Sequence, residues 1–82
     1  MSEWVAIVTG SGSGIGKATA EKLAANGIAV VVAEREQDRG EATAAGIVAT
    51  GGVARHIACD VASTESVRKV ITETVRHFGR ID

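Results

Sequence analysis

The stretch "VAIVTGSGSGIGKATAEKL", Val5 to Leu23, constrains this chain more than any other. An apolar run rich in β-branched residues gives way to four glycines, Gly10, Gly12, Gly14 and Gly16, which lead into a run of helix formers. Together they read as a strand with a tight exit, a loop nearly free of side chains, and a helix that starts inside the loop. Backbone in such a loop can approach an anion closely. The first N–H groups of the helix have no intrahelical acceptor and point towards the same place. A second apolar run, "IAVVVA" from Ile28 to Ala33, follows the helix. Neither run alternates with polar residues, which is the pattern of strands buried on both faces of a parallel sheet.

The remaining elements follow from periodicity and punctuation. The first helix is expected over about Gly14 to Asn26, with Gly27 at its C′ position. The second, about Glu36 to Thr50, carries Gly40 and Gly46 inside, each costing on the order of 1 kcal/mol relative to Ala. "TGG", Thr50 to Gly52, ends it. A weaker third strand, Val53 to Cys59, contains Arg55 and His56 and so belongs near the sheet edge. The last helix is capped by Ser63 or Thr64 and stopped by Gly79. Its apolar stripe of Val67, Val70, Ile71, Thr74, Val75 and Phe78 is expected to be core. "RID" then opens a further element. The order is β-α-β-α-β-α, and right-handed crossovers place the first two helices on one face with strand order 3-2-1. The third helix must cover the other face and lead to a fourth strand beside the first. Residues 1–82 are therefore expected to be one partial domain, cut before that strand, and one wall of the crevice where strand order reverses.

Bulk properties exclude several classes of function. The chain has 82 residues, 45% apolar and 23% charged, with a net charge of −1, and its Lys and Arg are interleaved with acids. Such a surface offers no broad field for nucleic acid or an anionic membrane. Trp4 and Phe78 are the only aromatics, too few to stack bases. No basic-plus-apolar leader opens the sequence, no run reaches the ~20 apolar residues that span a bilayer, and Cys59 is the single cysteine. A cytoplasmic protein is expected. His56, Cys59 and Asp60 lie close together, but one cysteine and a strand histidine make no closed zinc shell, and no metal site is assigned.

Three phosphate-binding templates compete for the glycine loop. A P-loop, G-x-x-x-x-G-K-[ST], finds Gly16-Lys17 but has Ser11 where its first glycine belongs and Ala18 where the hydroxyl belongs. The strict G-x-G-x-x-G fingerprint meets Ile15 or Lys17 at its third glycine. What fits is Thr9-Gly10-x-x-x-Gly14-Ile15-Gly16. This motif resembles the glycine motif of the short-chain dehydrogenase/reductase family, and the resemblance extends along the chain. "VVVAE" is similar to that family's second strand with its acidic end, "ACDVAS" to its Asp-Val adenine contact, and "FGRID" to the approach to its fourth strand.

The resemblance implies a Rossmann-type doubly wound α/β fold, of which this is the N-terminal part, and a nicotinamide dinucleotide as cofactor. Gly10 allows the tight exit from the strand, Gly14 lets backbone meet the pyrophosphate, and Gly16 lets the helix pack close. Amides of Ser13, Gly14, Ile15 and Gly16 face the anion, and Ser11 and Ser13 can add hydroxyl contacts. Glu34, 18 residues after Gly16, can accept from both adenosine ribose hydroxyls and repels a 2′-phosphate, which favours NAD. Arg35 follows it and can pair with that phosphate, so NADP is the less favoured alternative. Asp60 and Val61 resemble the adenine clamp, although Asp60 is also a good strand-end turn residue.

The family's catalytic Tyr, Lys, Ser and Asn come after the fourth strand. This sequence has no tyrosine, and none of its lysines takes the catalytic role. The parent protein is expected to be an NAD(P)-dependent oxidoreductase of alcohols or carbonyls, and a homo-oligomer. The alternatives are a stand-alone nucleotide-binding half-fold without turnover, or a P-loop-like phosphate binder.

Overall fold

The computed structural model describes residues 4–82. Six elements alternate: β1 (Val5–Thr9), α1 (Gly14–Ala25), β2 (Ala29–Ala33), α2 (Gln37–Ala49), β3 (Ala54–Ile57) and α3 (Thr64–Phe78). Each expected element is present. The helices are shorter by one residue at ends where Asn26, Glu36 and Thr50 act as caps instead. The third strand is four residues rather than seven, because Val53 and Ala58 to Cys59 lie outside the ladder.

The strands form one parallel sheet in the order β1-β2-β3, so β2 is central. Read from the other edge, the same neighbours give 3-2-1. Val5 lies opposite Ala29, and Val30 lies opposite Ala54. Alternation along β2 divides the core in two. Val30 and Val32 join Ala20, Ala24, Ala44 and Ile47 on the face covered by α1 and α2. Val31 and Ala33 join Ile57, Cys59 and Val70 on the face covered by α3. A strand with covered faces on both sides has no place for polar alternation, which is why "AVVVA" reads as a continuous apolar run.

The stripe on α3 needs correction. Val70 and Thr74 are buried and Val67 and Phe78 half-buried, but Ile71 and Val75 are 46% and 47% exposed. Only part of the stripe packs into the core. At the start of β1 the end of the chain turns back onto the sheet. The Asp82 N–H donates to the Val5 carbonyl at 2.8 Å, and the Val5 N–H donates to the Asp82 carboxylate at 2.9 Å. Arg80 pairs with the same carboxylate. Gly79 permits this return, since it ends α3 with φ of 85°.

Candidate functional site

The C-terminal ends of β1 and β2 and the start of α1 meet at one rim of the sheet. Gly10 leaves β1 with φ of 62° while its N–H still donates to the Ala33 carbonyl at 2.9 Å. The chain turns again at Gly14, φ 58°, and enters α1. Both angles lie in the left-handed region that glycine adopts without steric cost. Gly16 serves a different purpose. A Cβ there would stand 2.3 Å from the Gly10 carbonyl oxygen, so only glycine lets the helix sit this close to the loop.

The helix start is open. Ser13 is the N-cap residue, in extended conformation, but its side chain makes no capping bond. The first bond into the helix runs from the Lys17 N–H to the Ser13 carbonyl. The N–H groups of Gly14, Ile15 and Gly16 therefore lie at the positive end of the dipole without intrahelical acceptors. Ile15 is 87% exposed on this turn.

Ser11 behaves differently from expectation. It is wholly buried, and its hydroxyl donates to the Val8 carbonyl at 2.6 Å. The hydroxyl braces the strand exit and is turned away from solvent. Ser13 keeps an exposed position.

Glu34 follows the last residue of β2, and the loop anchors its carboxylate. One oxygen accepts from the Gly12 N–H at 2.9 Å, the other from the Glu36 N–H at 2.9 Å. The Glu36 N–H, foremost, lowers its pKa below the usual glutamate value. Desolvation opposes this, and the Gly12 N–H, the charge of Arg39 and the Arg35 N–H assist it. The carboxylate is thus ionised throughout the neutral range. Gly12 itself was not singled out by the motif, which leaves that position free. A Cβ at Gly12 would stand 2.6 Å from the Glu34 Oε1, so the glycine makes room for the acid. A glycine at a position the motif does not require was the available signal. Arg35 is exposed and lies 3.9 Å from Glu36 in an ion pair open to solvent.

Asp60 and Val61 lie on the far side of the rim, after β3. Asp60 makes the turn that its type suggested: its Oδ1 accepts from the Ala62 N–H at 3.0 Å, and its own N–H donates to Ser66 Oγ at 2.9 Å. Val61 is 64% exposed. A cleft of about 560 Å³ opens beside them, lined by Arg35, Cys59, Asp60, Ser63, Ser66 and Lys69 among others. His56 and Cys59 do not converge. The His56 ring meets α2 at Gly40, whereas Cys59 is buried against Val70 on the opposite face.

The chain is similar to known proteins in sequence and in fold. The family described as short chain dehydrogenase matches residues 4–82. The chain belongs to that family. Among curated relatives, the short-chain reductase protein NovJ of Streptomyces niveus is 52% identical over 80 residues, covering 98% of this chain and 30% of that protein. The 2,5-dichloro-2,5-cyclohexadiene-1,4-diol dehydrogenase of Sphingobium indicum is 46% identical over 76 residues, or 93% of this chain and 29% of that one. Among solved structures, a metagenomic short-chain oxidoreductase in complex with NADP superposes with a TM-score of 0.93 at 38% identity, over 100% of this chain and 37% of its own. A citronellol catabolism dehydrogenase of Pseudomonas aeruginosa gives 0.93 at 40% identity, over 99% of this chain and 34% of its own. The chain thus spans about a third of the length of these relatives.

Proposed function

We propose that this chain is the cofactor-binding part of an NAD(P)-dependent oxidoreductase that moves hydride between a nicotinamide dinucleotide and an alcohol or carbonyl substrate, with NAD preferred. One observation carries the reading. The ionised Glu34 carboxylate is fixed to the glycine loop through Gly12, beside the open start of α1. In this reading the N–H groups of Gly14, Ile15 and Gly16 take the pyrophosphate, with Ser13 at their edge. The cradle fits such a group, since Gly10 and Gly14 supply the turns and a Cβ at Gly16 would collide with the loop. Glu34 retains lone pairs for the two ribose hydroxyls of adenosine, and its charge repels a 2′-phosphate. Asp60 and Val61 border the adenine, with Asp60 held by its own turn. When bound, the nicotinamide supplies the hydride chemistry. The residues here bind and orient it.

A preference for NADP is the second reading. Arg35 supports it by lying next to Glu34 and facing solvent, and so does the NADP-bound relative. The discriminating experiment titrates the intact protein with NAD and with NADP by calorimetry, then follows reduction of each with a panel of alcohols and carbonyls. Tighter binding and turnover with NAD support the proposal. Tighter binding of NADP favours Arg35 as the determinant, and binding of neither removes the assignment.

A further inference from the structure

We infer that His56 is a positioning residue for the Glu34 carboxylate, acting through the Glu34 backbone, and that Gly40 is the socket that lets it do so. The inference rests on the cofactor reading of Glu34 given above. His56 lies on β3 opposite Val32 and is half-buried. Its Nε2 lies 2.9 Å from the Glu34 carbonyl oxygen. A carbonyl only accepts, so Nε2 carries the proton and donates. The same carbonyl accepts a longer bond, 3.4 Å, from the Cys59 N–H. Glu34 is thus held on both sides of its Cα: the carboxylate by Gly12 and Glu36, the carbonyl by His56.

The ring reaches that carbonyl because α2 yields to it. A Cβ at Gly40 would stand 2.2 Å from His56 Cδ2 and 2.4 Å from Nε2. Gly40 is buried inside α2, where glycine costs about 1 kcal/mol against alanine. A helix that retains it at this contact trades propensity for the ring. The helix also carries Gly46, where a Cβ meets nothing within 4 Å, so the close fit belongs to Gly40 alone of the two.

The test uses the intact protein, with NAD and NADP affinities measured by calorimetry and thermal melts run alongside. His56→Phe keeps the ring and removes the donor, His56→Gln keeps a donor at similar reach, and Gly40→Ala displaces the ring. His56→Phe and Gly40→Ala should each weaken NAD roughly three- to tenfold, the worth of one hydrogen bond. His56→Gln should stay within about twofold of wild type by the same measure. NADP affinity should fall less than NAD affinity, and His56→Phe should add little to Glu34→Gln, because both act on one group. Equal loss of NAD and NADP, or additive effects with Glu34→Gln, would make His56 merely structural and overturn the inference. Unchanged NAD affinity in Gly40→Ala overturns it as well, even if His56→Phe fails to fold. Failure of the wild type to bind either dinucleotide is a separate result and removes the reading of Glu34 itself.

Discussion

Glu34 carries a charge whose position is set by backbone amides rather than by a cation in contact with it. That has a consequence for acid stability. The Glu36 N–H is the largest influence holding its pKa below the usual 4.5. A carboxylate with a depressed folded pKa contributes stability that is complete above the unfolded value and is lost as pH falls through the lowered folded value. The window is therefore below pH 4.5. The group is well solvated, so screening keeps the effect small. Glu34→Gln should flatten the fall in urea midpoint with pH in that window and leave the neutral range unaffected by this linkage. Equal slopes in the two proteins would mean that the amide bonds persist in the unfolded chain or carry no energy.

At the scale of the element, α3 starts with a side-chain cap, whereas α1 and α2 start without one. Ser63 caps α3, accepting from the Ser66 N–H at 3.1 Å, and Ser66 Oγ returns to the Asp60 N–H. The cap thus joins the helix to the turn that places Asp60 and Val61. Helix α1 has Ser13 at the equivalent position without a capping bond. Its opening N–H groups remain available where the glycine loop passes. Ser63→Ala should cost about 1 kcal/mol in urea unfolding, the usual worth of a serine cap. Ser13→Ala should cost much less, because no capping bond is lost. A similar loss in both would show that Ser13 caps α1 in solution.

Among the described residues, the molecule is a three-stranded sheet covered on both faces, with one edge touched only at its end. On β1, Val5 exchanges hydrogen bonds with Asp82 through both its N–H and its carbonyl, while Gly10 bonds to β2. Alternation along a parallel strand then places the N–H groups of Ile7 and Thr9 on the Asp82 side and those of Ala6 and Val8 towards β2. In hydrogen exchange, the 82-residue chain should protect Ala6 and Val8 and exchange Ile7 and Thr9 rapidly. A longer protein whose chain continues from Asp82 as a strand beside β1 should protect all four. Protection of Ile7 and Thr9 in the short chain would instead indicate pairing of two copies along this edge.

The alternation of elements and the position of the loop were legible in the sequence, because apolar runs, glycines and caps act over a few residues. Gly27 and Gly79 end helices through a backbone angle that needs no distant partner, and Glu34 was found by its spacing from the loop. Contacts between distant segments were not legible. Only the folded chain turned Ser11 inward, seated Gly12 against Glu34 across 22 residues, and opened Gly40 to the His56 ring. Likewise, helical spacing marked Val67 to Phe78 as one stripe, but only the packing of the folded chain decided how much of it is buried. Local propensity depends on neighbours along the chain. Which oxygen meets which amide depends on where the sheet brings the ends of β1, β2 and β3.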